Sequence, residues 1–231
     1  MATQRRKRSW LTACLAAVAV VAVGTVPLLP ARATADSASE AEDLVRRTWY
    51  EGLPPESARA LDDEAVARLV EMLSDPGEAA YHGNIALALG YSGRPGAYAA
   101  LTTFAEAPVA GEVDRATFRS RTQVLLALGH LARRDGRALR WLLDAEEQGM
   151  GPPSWHFRHH RGPALRALLD ERILTALALS ASPAASRRID RVIGAAQGPD
   201  AASRRRLRHA RAARRLLDAS SPERTPGVRP R

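Results

Sequence analysis

The feature that most constrains this chain is that it repeats itself. Ile85-Ala86-Leu87-Ala88-Leu89-Gly90 recurs in form as Val124-Leu125-Leu126-Ala127-Leu128-Gly129, and a third copy reads Thr175-Ala176-Leu177-Ala178-Leu179-Ser180. Self-similarity of this kind marks an array in which each unit buries its apolar face against its neighbours. An irregular stretch around Gly149–Gly162 accounts for the longer gap before the third copy. Around the copies the apolar spacing is helical. Val66, Leu69, Val70 and Leu73 follow i, i+3, i+4, i+7, with Asp62/Asp63 as an N-cap and Asp75-Pro76-Gly77 as a stop. The same spacing returns at Leu139, Leu142 and Leu143, at Leu165, Leu168, Leu169, Ile173, Ala176 and Leu177, and at Ile189, Val192 and Ile193. Pro95, Pro163 and Pro183 each stand where a first helical residue can stand. Nothing alternates as a strand does. Aromatics are only 5% of the chain, which suits close-packed Ala/Leu helices better than twisted sheets. The expected fold class is all-α.

The helices pair as 62–74 with 78–92, 95–107 with 114–132, 136–148 with 163–181, and 183–196 with 200–219, the last being the weakest match. Leu69-Val70-Glu71-Met72-Leu73-Ser74-Asp75-Pro76 and the Ala-Leu-Gly signature of the second helices, at Ala88–Gly90 and Ala127–Gly129, resemble the HEAT repeat family, over about residues 60–195. Where that family usually has a branched residue and Arg soon after Asp-Pro, this chain has Ala79, Ala80, Tyr81 and His82, so its first repeat is atypical. The resemblance implies a right-handed α-α superhelix, a short solenoid of about four helix pairs, with a binding role and no catalytic residues. Solenoid ends need a cap. Residues 39–52, with Leu44, Val45, Trp49 and Tyr50, are expected to form that N-terminal capping helix, its aromatic pair serving as core rather than as a ligand platform.

The first 35 residues have three parts: basic Arg5, Arg6, Lys7 and Arg8, an apolar run from Trp10 to Leu29, and Ala33-Thr34-Ala35 before Asp36. That is the layout of a secretory signal peptide, with Ala31-Arg32-Ala33 as a second cleavage site. The alternative is an uncleaved membrane anchor, since the apolar run is just long enough to span a bilayer. Both place the body outside the cytoplasm, in the periplasm or beyond the cell. Leu11-Thr12-Ala13-Cys14 resembles a lipoprotein box but stands at the wrong end of the run, and Arg5-Arg6 lacks the apolar follow-up of a twin-arginine signal. Cleavage after Ala35 leaves 29 basic against 25 acidic side chains and removes Cys14, the only cysteine. Disulfides, thiol nucleophiles and thiolate metal sites are then excluded. The organisation expected is 1–35 signal peptide, 36–61 capping helix and linker, 62–219 solenoid and 220–231 a disordered, proline-bearing tail.

Common catalytic signatures are missing: no P-loop, no H-E-x-x-H, no G-x-G-x-x-G. Gly90-Tyr91-Ser92-Gly93 is one residue short of a nucleophile elbow and reads as a helix C-cap. One segment stands apart, Gly151 to Gly162, because it gathers Trp155, His156, Phe157, Arg158, His159, His160 and Arg161 in a loop. Three readings compete. As one helical turn it would align His156, His159 and His160 to hold a divalent metal with a carboxylate. As an anion site it would use Arg158, Arg161 and the imidazoles, with Trp155 as a wall. As a plain loop it would plug a gap with Trp155 and Phe157 while its charges face water.

Helix direction alternates in such an array, so the two longest connections, about 108–114 and 149–162, should lie side by side on one edge. Their charges are opposite: Glu112 and Asp114 against Arg158, Arg161 and the histidines. The leading expectation is an exported, non-catalytic scaffold that binds a protein or another envelope component through this edge, with no cofactor and no nucleic acid. The rival is a metal- or anion-binding protein, or an enzyme, centred on His156–His160. Residues 36–186 carry 16 basic and 21 acidic side chains, whereas 187–231 carry 13 Arg against 4 acids. The Arg-rich last helix (Arg204, Arg205, Arg206, Arg208, Arg211, Arg214, Arg215) is expected to have a solvated basic side over an inner face of Leu207, Ala210, Leu216 and Leu217, with contact to an anionic surface as the functional alternative.

Overall fold

A computed structural model describes residues 32–150, 153–196 and 198–220. The segment up to residue 31, where the signal peptide is expected, Gly151-Pro152 of the long loop, Gln197, and the tail from 221 onward lie outside the described residues. Ten α-helices make up most of the described chain. They are α1 (Arg32–Arg46), α2 (Pro55–Arg59), α3 (Asp63–Ser74), α4 (His82–Ser92), α5 (Ala97–Glu106), α6 (Arg115–Leu131), α7 (Gly136–Gln148), α8 (Gly162–Leu179), α9 (Pro183–Ala195) and α10 (Ala201–Ser220). The protein is all-α, with two strands of two residues each, β1 (Gly111–Glu112) and β2 (Trp155–His156).

Capping side chains set four of the helix starts. Asp62, Asp114, Asp135 and Ser182 each accept a backbone N–H from the first turn of α3, α6, α7 and α9. Gly93 closes α4 in the left-handed region, at φ 65°, as the C-cap reading of Gly90–Gly93 requires. Pro163 and Pro183 stand in the first turns of α8 and α9. Pro95 does not open α5; it sits in a turn, and Gly96 at φ 87° caps the helix instead. The helix expected from residue 78 begins only at His82, because Asp75 accepts from Gly77 N–H and stabilises a 3-10 turn over Pro76–Glu78. The N-terminal helix also differs from the expected 39–52. It ends at Arg46, after which Trp49 folds back to donate its indole N–H to Leu44 O at 2.9 Å. Tyr50 is 98% exposed and contributes nothing to the core.

Packing follows the repeat. Helices α4, α6, α8 and α10 pack in succession, each against the next. Helices α3, α5, α7 and α9 pack across onto their partners α4, α6, α8 and α10, and α1 packs on α3 and α4. The three successive hexapeptides Ile85–Gly90, Val124–Gly129 and Ile173–Ala178 share one burial pattern, in which only the third residue (Leu87, Leu126, Thr175) is partly exposed. This corrects the third copy, which begins at Ile173 rather than Thr175. The reason is steric. A Cβ added at Gly90 would meet Ala127 O at 2.4 Å, and one at Gly129 would meet Ala176 O at 2.5 Å, so each glycine lies against the alanine two residues before the next copy's last position. Helix α10 buries a single stripe, Ala210, Ala213 and Leu217, as the last helix of a row does. Glu146, with 4% of its side chain exposed, ties α7 to both α9 and α10 through Arg188 and Arg206.

Candidate functional site

The two long connections do meet. β1 and β2 pair in parallel, Gly111 opposite Trp155 and Glu112 opposite His156. Gly111 N–H donates to Ser154 O at 3.0 Å and Val113 N–H to His156 O at 2.9 Å. Ser154 adds a hydroxyl bond to Val109 O at 2.6 Å. Two loops that would otherwise be separate are thus joined into one edge.

Beyond β2 the chain folds into a tight bend. Phe157 and His160 exchange both backbone hydrogen bonds, at 3.1 and 2.9 Å, and Arg158 occupies the left-handed region at φ 51°. The helical turn that would have aligned His156, His159 and His160 does not form. His156 Nε2 instead faces Glu112 Oε2 at 3.8 Å, a distance beyond hydrogen bonding. His159 and His160 lie against each other at 4.3 Å between ring centroids. Among the described residues no three His, Cys, Asp or Glu side chains are arranged to hold a metal ion.

Aromatic packing anchors the bend to α6. Phe157 stacks on Phe118 at 4.4 Å, His160 stacks on the same ring at 5.5 Å, and Trp155 meets it edge-on at 6.3 Å. Trp155 and Phe157 pack against Phe118, and so does His160, of which the plain-loop reading says nothing. Asp114 is occupied as the N-cap of α6; Thr117 N–H at 2.7 Å and the neighbouring donors hold its carboxyl below the usual range. Glu112, Arg158, His159 and Arg161 are exposed, and Arg161 Nε donates to Arg158 O at 3.1 Å.

Two clefts flank this edge. One, of about 450 Å³, is lined by Trp141, Met150 and Trp155 with Arg121 and Glu106. Glu106 accepts from the Trp141 indole at 2.7 Å. Arg121 donates to Phe104 O and Ala107 O at the end of α5 and lies 4.8 Å from the centre of the Phe104 ring. Its guanidinium serves as a C-cap, and burial lowers its pKa. The other cleft, of about 560 Å³, gathers Arg115 and Arg119 of α6, Arg158 of the bend and Arg172 of α8 around Phe118 and Phe157. Sequence reasoning singled out Arg158 and not the other three. The signal was available: Arg115 and Arg119 are like charges at i, i+4, with glycine and glutamine rather than acids at the next such positions.

On α10, Arg206 pairs with Glu146 and Arg214 with Asp190 and Asp218, whereas Arg205, Arg208, Arg211 and Arg215 are exposed. No described helix is long and apolar enough to cross a membrane. A scan against protein-family models gives no match to this chain, and searches of the curated proteins and of the solved structures give none either.

Proposed function

We propose that this chain is a short HEAT-like solenoid, exported by its N-terminal segment, that binds another protein or envelope component through the edge built by the two paired loops. The succession of α4, α6, α8 and α10, with one burial pattern in three of them, supports the repeat reading. The observation that carries the binding role is the β1–β2 pairing. It turns two long connections into one ordered surface that presents Glu112, Arg158, His159 and Arg161 to solvent. Repeat arrays confine insertions to the face that binds. Export belongs to the same proposal: cleavage after Ala35 would trim the first turn of α1 and leave Asp36–Arg46 to pack on α3 and α4. The exposed arginines of α10 supply a second contact, to an anionic envelope surface.

The test is partner capture from the native envelope fraction by the tagged protein and by an R158N/H159Q/R161Q variant. His160 is kept because its ring packs on Phe118. Loss of a captured partner at unchanged melting temperature is the expected outcome. Undiminished capture would remove this edge as the binding surface.

A further inference from the structure

We infer that the four-arginine cleft is a docking groove for an acidic peptide segment of a partner protein, an inference that rests on the binding role proposed above. Arg115, Arg119, Arg158 and Arg172 come from two helices and a loop, line one cleft of about 560 Å³, and share it with no acidic residue. Several arginines elsewhere, among them Arg46, Arg68, Arg94, Arg137, Arg188 and Arg214, each meet a carboxylate. Among the described residues none of these four does. Arg119 reaches the neutral Asn84 amide oxygen at 3.4 Å, and Arg158 lies over the Phe157 ring at 5.2 Å. Arg172 Nε is buried and meets no acceptor. A partly desolvated guanidinium without a counter-ion is costly, and four in one concavity repel one another. An arriving anion relieves both costs.

The shape of the cleft selects the kind of anion. Its α6 wall runs from Arg115 to Leu126, which at 1.5 Å per residue is about 16 Å. Arg115 and Arg119 lie one turn apart at the start of that wall, and Arg158 and Arg172 reach the cleft from the bend and from α8, so the four guanidiniums offer separate bidentate places that suit a chain with several carboxylates better than one compact anion. The Phe118–Phe157 stack gives an apolar side chain of that segment somewhere to rest. A nucleic acid is also a linear polyanion, but the α6 wall beyond Arg119 is Thr122, Gln123 and Leu126, so a long phosphate backbone running on along it meets no further cation there. A short acidic segment places its charge only where the arginines are.

The experiment is fluorescence anisotropy with a labelled Glu-rich peptide of about ten residues containing one Phe, its Gln counterpart, a single-stranded oligonucleotide of equal charge, and inorganic pyrophosphate as competitor. Arg115 and Arg119 are exposed, so an R115Q/R119Q variant should keep the fold, which circular dichroism checks. Saturable, salt-sensitive binding of the Glu peptide, weakened at least tenfold in R115Q/R119Q and lost with the Gln peptide, is the expected result. Absence of saturable binding, or equal affinity in the variant, overturns the inference. Tighter oligonucleotide binding would replace the peptide by nucleic acid, and full competition by micromolar pyrophosphate would replace the groove by a compact anion site. The loop-edge reading is judged separately by an H159Q/R161Q variant, which leaves Arg115, Arg119, Arg158 and Arg172 in place.

Discussion

Replacing one hydrogen atom at Gly90 should destabilise the whole array, against the local preference of the helix. In a helix interior, Gly to Ala is favourable by about 0.8–1 kcal/mol through backbone entropy. At Gly90 the new methyl would sit 2.4, 2.7 and 2.9 Å from the O, Cα and C atoms of Ala127. All three are backbone atoms of α6, so no side chain can swing aside. Ordinary carbon contact then demands that α4 and α6 part by about 1 Å, a gap that forfeits a quarter to a half of the dispersion well for the atoms facing it. Those atoms include the fully buried Ile85, Ala86, Ala88 and Leu89. Overpacking costs about 1–3 kcal/mol in general, and backbone-on-backbone contact places this site at the top of that range. The net loss for Gly90→Ala is about 2 kcal/mol, a melting temperature lower by about 4–8 °C for a chain of this size. Gly129→Ala should behave alike against Ala176. Gly194, inside α9, has nothing within 4 Å of where its Cβ would be, so Gly194→Ala should gain about 0.5–1 kcal/mol. Thermal unfolding followed by circular dichroism compares all three. If Gly90→Ala stabilises as Gly194→Ala does, the close approach of α4 and α6 is not there and the reasoning fails.

Acid should weaken the fold partly through His130. Burial, helped by Arg133 and Arg59, lowers its pKa from 6.5 to about 4, so the unfolded chain takes up a proton that the folded one refuses. Its contribution is intact above pH 6.5 and is lost as pH falls toward 4, about 3 kcal/mol in all. His130→Phe, which keeps a ring against Tyr91, should flatten that part of the pH dependence of urea midpoints; an unchanged slope would show that His130 protonates freely. Glu146→Gln strips the charge from a buried carboxylate facing two arginines and should cost about 3 kcal/mol, while E146L/R188L, scored in the same melts, should recover much of it. Equal melting of E146Q and wild type would mean the α7–α9–α10 tie is solvated.

Helix positions were readable wherever spacing met a cap or a first-turn proline, as at Asp62–Ser74 or Pro183–Ala195. The third copy was misplaced by two residues because Thr-Ala-Leu-Ala-Leu-Ser and Ile-Leu-Thr-Ala-Leu-Ala fit the same apolar pattern. Only the seat of Gly129 on Ala176 separates them, and that is a contact between helices. Trp49 and Tyr50 looked equivalent in sequence, yet one finds the Leu44 carbonyl and the other finds water. At the candidate site, the adjacency of the loops followed from alternating helix direction, and their strand pairing did not, since two-residue strands carry no periodicity. His160 was legible as a polar loop residue and is held as an aromatic one, because Phe118 on α6 offers a face that local sequence cannot reveal. The arginine groove needs α6, α8 and the bend to be brought together, and no spacing within one of them encodes that.

The two long loops form one ordered edge, and amide hydrogen exchange measured by NMR reads this directly. Gly111 and Val113 donate to Ser154 and His156, and Phe157 and His160 bond each other, so these four amides should exchange slowly. The Phe118→Ala variant, which removes the ring under the bend, should speed Phe157 and His160 by at least tenfold and leave the α4 and α6 core amides protected. Exchange of all four at open-chain rates in the wild-type protein would contradict the edge, and the binding surface proposed on it.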